Sequence, residues 1–231
     1  MNQKLHRIFT GVLLIATPIL FMTAFTLLQM NFEYPDILRQ PATIVMEKFI
    51  AGGSGLIANW YAMVMSAILF IPISILLHPF LAQKGSNFMQ LGTVFGVTAG
   101  IVEMLGFIRW PFLVPSLAQT YLDPTSSEAT RAAVAVTFSA FNQYAGVGIG
   151  EHLGYLFTAL WTIFIGIAVM KSPHFRGWLG WVGIASAVGI LLGLLEPIGV
   201  PLAGMVNAFA YIAWAVWMVI VGIFVLRLKN R

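Results

Sequence analysis

Cysteine is absent from the 231 residues, which excludes disulfides, thiolate metal sites and cysteine nucleophiles, and leaves the redox compartment unmarked. Charge is almost as scarce. Only 9% of the residues are Asp, Glu, Lys or Arg, against 59% hydrophobic, and the mean hydropathy is +0.90. A water-soluble domain carries roughly 25% charged residues, because it needs that polar surface. A chain this apolar cannot cover itself with charge, so its solvent is lipid. Acids are rarest of all, eight against twelve bases. The bases do not cluster into a patch with interleaved aromatics, so the surplus of +4 points to the positive-inside effect rather than to nucleic acid. Ser-rich linkers and low-complexity tracts are missing too, and residues 1–231 read as one integral membrane domain.

What is present is a series of six apolar runs: Ile8–Met30, Leu56–Leu77, Phe88–Trp110, Ile149–Met170, Trp178–Glu196 and Leu202–Leu226. Each approaches or exceeds the ~20 residues that cross about 30 Å of hydrocarbon as a helix. A helix also satisfies every backbone polar group internally. The first run is too long for a signal-peptide core and lacks a small-x-small cleavage site, so it is expected to be a retained helix. Pro18 and Pro72 lie inside two runs and are expected to kink them.

A seventh segment, Glu128–Gly146, is also helical in pattern, with Thr125 and Glu128 spaced as a capping box. Charge decides whether it spans. With six crossings the cytoplasmic side holds Lys4, Arg7, Lys84, Lys171, Arg176, Arg227, Lys229 and Arg231, and the outside holds Arg39, Lys48, Arg109 and Arg131. Seven crossings would invert this eight-to-four ratio to three against nine. The positive-inside rule favours six. The expected fold is therefore an all-α, polytopic transmembrane bundle with both termini cytoplasmic. The extra helix lies at the outer surface or extends the fourth span outward.

Five acids, Glu33, Asp36, Glu47, Asp123 and Glu128, fall in the outer loops. The other three, Glu103, Glu151 and Glu196, fall inside membrane segments, in GIVEMLG, GIGEHLG and GLLEPIG. Each is G-x-x-E-x-x-G. With 22 glycines in 231 residues, the chance of both flanks around one given Glu is about 0.01, although membrane helices are somewhat enriched in glycine. Positions i−3 and i+3 share a helix side with i, so each acid is expected to stand in a trough of minimal side chains. Such troughs admit a neighbouring backbone or leave room for water or ligand. On this reading bulk at Gly100 or Gly154 damages the site and costs more than bulk at Gly222 on the last helix.

Counted from the cytoplasmic ends, the three acids rise by ~22, ~29 and ~28 Å, a common layer of the outer leaflet. Ionisable groups at such depth usually face the bundle interior. An outward-facing cavity built on Glu103, Glu151 and Glu196 follows, with His152, Asn207, Arg109 and Tyr155 as further candidates. His152 sits about 100° around the helix from Glu151, so the two do not project together. It either ligates a metal or donates to a nearby carboxylate or carbonyl; Glu103, Glu151, His152 and Glu196 are the candidates to hold a metal. Tyr155 is spaced to bond Glu151 or His152. Arg109, before Trp110 and Pro111, is expected to snorkel to headgroups, or else to pair with Glu151 or Glu196. Hydroxyls in the cytoplasmic halves, among them Thr10, Thr17, Ser66, Thr158 and Thr162, are expected to bond to their own helices.

The stretch NQYAGVGIGEHLGYLFTALWT (142–162), with RWPFLVPSLAQTY (109–121), YPDILRQPA (34–42), GWLGWVGIASAVG (177–189) and EPIGVPLAGMVNA (196–208) in support, resembles a large prokaryotic family of integral membrane proteins catalogued as a domain of unknown function. The resemblance implies a prokaryotic multi-helix membrane protein and carries over no activity, cofactor or functional residue. The residues themselves point to the lipid bilayer as partner and to a small amphipathic or cationic ligand entering from the outer face. They specify no reaction, no cofactor and no oligomeric state. A small proton- or cation-coupled transporter and a non-catalytic membrane partner are the other readings.

Overall fold

The computed structural model describes residues 2–82 and 87–228. Lys84, Lys229 and Arg231, three of the bases assigned to the cytoplasmic side, lie outside the described residues. Among the described residues there is no strand. Six helices are long and apolar enough to cross a membrane: α1 (Gln3–Phe32), α2 (Ala42–Leu81), α3 (Phe88–Leu122), α4 (Glu128–Lys171), α5 (Gly177–Ile198) and α6 (Ala203–Arg227). The chain is a multi-pass integral membrane protein of the all-α class.

Several helices outrun the apolar runs that announce them, because their distal turns carry polar residues. The helix α2 begins at Ala42 and is interrupted at Gly53, whose φ of 55° and ψ of −151° lie outside the reach of other residues. The helices run on through Pro18 and Pro72. The segment from Glu128 is not a separate surface helix but the distal extension of α4. Its cap is Ser127, whose hydroxyl accepts from the Thr130 N–H at 3.1 Å. Thr125, expected as the cap, instead donates its hydroxyl and its N–H to Asp123.

The helices form a ring in chain order, each packing along the next, with α6 closing on α1. Apolar side chains gain nothing by leaving lipid for protein, so close backbone approach and dispersion must hold such a ring. Glycines supply that approach. A Cβ on Gly222 would stand 3.0 Å from the Gly11 carbonyl oxygen, joining α6 to α1. One on Gly150 would stand 2.8 Å from the Gly106 Cα, joining α4 to α3, and one on Gly166 2.8 Å from the Gly180 oxygen, joining α4 to α5. At the terminal end, Arg7 donates to the Leu228 carbonyl and ties the first turn of α1 to the end of α6.

Inside the ring are two apolar cores. One lies toward the terminal end and is centred on Phe70, Trp161, Trp214 and Trp217. The other lies at the distal end and contains Phe32, Phe49, Trp60, Trp110 and Phe138. Trp60 and Trp110 stack at 4.6 Å with 7° between their planes. On α1 the fully buried residues of the terminal core stop at Leu14 and those of the distal core begin at Ala24; on α2 the gap falls between Met63 and Phe70, on α3 between Ala99 and Trp110. Thr17, Ser66 and Glu103 occupy those gaps. On α4 the gap runs from Phe138 to Ala159 and holds Glu151, Tyr155 and Thr158. A polar layer thus separates two aromatic plugs.

Candidate functional site

Glu103 is the centre of that layer. Thr158 of α4 donates its hydroxyl to Glu103 Oε1 at 2.8 Å. Gly154, one turn earlier, leaves the space for the carboxylate, since a Cβ there would stand 3.1 Å from Glu103 Cγ. Among the described residues no basic group comes within ion-pair distance of Glu103. Beside it is a cavity of about 20 Å³, lined by Thr17, Pro18, Phe21, Ser66, Phe70, Glu103, Tyr211 and Trp214. One water needs roughly 10–15 Å³, so the cavity has room for a single small occupant.

The hydroxyls sort themselves around this cavity. Thr10, Ser74, Thr93, Thr98, Thr162 and Ser186 donate to the carbonyl four residues back, as their helical setting leads one to expect. Ser66 does so three residues back. Thr17 and Thr158 depart from that rule. Thr158 serves Glu103 instead, and the Thr17 hydroxyl, 4% exposed, has no partner at all. Sequence reasoning placed both among the self-satisfied hydroxyls. The signal it passed over was the proline directly after Thr17, which disturbs the local carbonyl ladder.

Glu151 and Glu196 stand further toward the distal end. Glu196 forms an ion pair with Arg39 from the loop after α1. Glu151 lies within electrostatic reach of Arg109, Glu196 and Arg39. Tyr155 lies in reach of Glu151, Tyr211, Tyr34 and Glu196, and Tyr211 in reach of Glu103, Glu151 and Tyr34. The Tyr155 and Tyr211 rings approach to 5.7 Å. Glu151 and Glu196 thus lie within electrostatic reach of each other, as do Tyr211 and Glu103. In the loop, burial and the Glu151 carboxylate hold the Tyr34 hydroxyl well above the usual phenol range, outweighing the opposing pull of Arg109. A larger groove of about 530 Å³ lies between the distal ends of α1 and α2, lined by Asn31, Lys48 and Asn59 among others, and contains none of the three carboxylates.

The spacing arguments around Glu151 fail for a local reason. Asn142–Leu153 is π-helical, with wider turns than the 3.6-residue helix assumed. An offset of three residues, as from His152 to Tyr155, therefore no longer shares a face, and Tyr155 makes no hydrogen bond to Glu151 or His152. His152 is half-buried, and among the described residues no group of three or more His, Asp or Glu side chains is arranged to hold a metal. The glycines flanking the acids also divide their roles. Gly100 packs α3 against α2, Gly106 packs α3 against α4, and Gly148 faces open space apart from the Gln143 oxygen at 3.6 Å. Gly199 ends the last turn of α5 at φ 79°.

Arg109 does not snorkel. It is 7% exposed, donates to the Gly106 carbonyl and, at 3.1 Å, to Asn142 Oδ1, and lies over the Trp110 ring at 5.2 Å. Gly146, on the π-helical stretch, leaves the room that the guanidinium fills. Neither Glu151 nor Glu196 comes within ion-pair distance of it. Asn207 donates to the Ile190 carbonyl at 2.9 Å and fits over Gly193, tying α6 to α5. It does not line the Glu103 cavity.

A family model described as Domain of unknown function (DUF4386) matches residues 9–226. No curated protein and no solved structure matches the chain. With nearly its whole length matched, from the first turns of α1 to the last of α6, the chain belongs to the DUF4386 family of unknown function.

Proposed function

We propose that this membrane protein takes up and releases a small cation, a proton in the simplest case, at Glu103, reached from the outer face of a prokaryotic cell membrane. The observation that carries the reading is the isolation of the Glu103 carboxylate. It lies inside the helix ring with one neutral hydroxyl donor and no basic group in ion-pair distance. A half-buried carboxylate left so favours a proton or a bound cation, because a charge without a partner is costly away from water. The ionisable series Tyr211, Tyr155, Glu151, Tyr34 and Glu196 supports access from the distal end.

The charge distribution supports that end being external. Lys4, Arg7, Lys171, Arg176 and Arg227 gather at the terminal end, while Glu33, Asp36, Glu47, Asp123 and Glu128 gather at the other. On the terminal side the Phe70–Trp161–Trp214 core closes the layer, with ring centroids 4.7 to 6.4 Å apart. A continuous path would require that core to part, so one-sided exchange is the reading adopted.

Infrared difference spectra of the purified protein against pH test it. A protonated-carboxyl stretch should disappear as pH rises in the parent and be absent from Glu103→Gln, with melting temperature equal to the parent or higher. A parent spectrum unchanged by Glu103→Gln would overturn the reading.

A further inference from the structure

We propose that the cavity beside Glu103 is a sodium site, in which a dehydrated Na⁺ is held by the Glu103 carboxylate, the Thr17 and Ser66 hydroxyls and the Leu14 carbonyl freed by Pro18. The proposal rests on cation exchange at Glu103 and names the cation.

The donor set comes from three helices. Thr17 and Pro18 of α1, Ser66 of α2 and Glu103 of α3 line one small space. The Thr17 hydroxyl is buried and unpartnered, and a buried polar group without a partner is destabilising until something satisfies it. Pro18 has no N–H, so it cannot close the helical hydrogen bond to the carbonyl of Leu14, four residues back. The ordinary acceptor for Thr17 is the carbonyl four residues back, and it is not used. The side-chain oxygens of Thr17, Ser66 and Glu103 that line the cavity are hard ligands, which bind hard cations, and not the nitrogen or sulfur that transition metals prefer.

Charge and size narrow the choice. The single carboxylate is neutralised by a monovalent ion, whereas a divalent ion would leave net charge buried near lipid. Tyr211 of α6 is the titratable group facing Glu103, joined by the neutral Thr158 of α4. Neither adds a second negative charge at neutral pH. The space beside Glu103, about 20 Å³, suits one small ion. Binding is an exchange: the carboxylic O–H bond of Glu103 breaks, its proton leaves to water, and Na⁺ takes its place on the carboxylate. No oxidant or other reactant is needed.

The test uses the full-length protein in detergent, titrated with NaCl against KCl and choline chloride at constant ionic strength. Sodium alone should release about one proton per protein in unbuffered solution and raise the melting temperature by about 5 °C near saturation. Thr17→Val, which keeps the shape and removes the hydroxyl, should weaken the sodium response at least tenfold while the carboxyl band still titrates with pH. Thr17→Ser should restore it. Pro18→Ala, which returns an N–H to the Leu14 carbonyl, should weaken it independently, so misfolding of one variant does not decide the matter. An equal response to potassium, or a Thr17→Val response matching the parent, would overturn the sodium site. A parent that titrates with pH and ignores sodium would overturn it too, leaving proton exchange at Glu103 standing. A parent that does neither removes both.

Discussion

Gly154 lies directly against Glu103: a Cβ on Gly154 would stand 3.1 Å from Glu103 Cγ and 3.7 Å from Oε1, while Thr158 on the next turn holds Oε1 at 2.8 Å. The glycine that flanks one acid in the sequence therefore accommodates a different acid from the facing helix. Gly154→Leu must displace the carboxylate from its hydroxyl partner. It should lower stability by about 1–3 kcal/mol and abolish the pH-dependent carboxyl signal. Gly177→Ala is the proper comparison, since nothing lies within 4 Å of its would-be Cβ, and it should change neither quantity. Gly222 is not indifferent. A Cβ there meets Ile15 and Leu14 at 2.9 Å, so Gly222→Leu should destabilise while leaving the carboxyl signal in place. Thermal melts paired with infrared spectra separate the three, and a retained signal in Gly154→Leu would refute the contact's importance.

The exposed acid Asp123 gives a prediction in pH. The Thr125 hydroxyl and N–H, and more weakly Arg131, hold its carboxyl below the usual 3.8. A carboxylate that gives up its proton more readily when folded adds stability while ionised. That contribution is complete above the range where the unfolded aspartate titrates and fades as pH falls through the lower folded value. Asp123→Asn should therefore melt below the parent at neutral pH, with the difference shrinking once pH drops under about 4. A difference that is constant from neutral to strongly acid pH would count against the Thr125 contact.

Much of the architecture was readable because lipid imposes one rule, that apolar length must match membrane thickness. The six spans follow from it, and charge asymmetry set aside a seventh. Helix ends were less evenly readable: Glu128–Phe141 carried a helical pattern, whereas Ala42–Phe49 mixes polar and apolar residues and packs against the distal aromatic core. The G-x-x-E-x-x-G repeat drew attention to the right acids with the wrong geometry. Glycine's missing Cβ benefits whatever faces it across a helix seam, and the residue facing Gly154, Gly146 or Gly193 comes from elsewhere in the chain. The π-helical turn at Asn142–Leu153 defeated the three-residue spacing argument from His152 to Tyr155, since its wider period leaves no composition mark. Thr17 was missed because a lone threonine in an apolar run ordinarily satisfies itself.

Orientation is open to direct measurement. Reporters inserted in the loops at residues 33–41 and 123–127 should read external, and those at 172–176 cytoplasmic. The expectation comes from the bases of the terminal end set against the five loop acids of the distal end. A cytoplasmic reading at 123–127 would reverse the proposed side of access to Glu103 without touching the ring itself.

The buried Arg109 offers the sharpest test of how the π-helical turn is used. Its guanidinium bonds Asn142 at 3.1 Å and fills the space over Gly146, two residues that the wider turns of α4 bring to one side. Lysine at this position keeps the charge but loses the planar fork and one of the two directed bonds. Hydrogen bonds to charged groups are worth about 1.5–3 kcal/mol, so Arg109→Lys should melt clearly below the parent. Gly146→Ala should do the same by a different route, because its Cβ would collide with Nη2 of Arg109. If both act through the one contact, their costs cannot add. The double variant should be less destabilised than the sum of the singles, with a coupling of about 0.5–3 kcal/mol. The ammonium of lysine is smaller at its tip than the guanidinium, so the methyl of Gly146→Ala finds room once Arg109 is gone. Additive costs would show that Gly146 serves the backbone path of the π-helical turn and that Arg109 is held by the Gly106 carbonyl and the Trp110 ring alone.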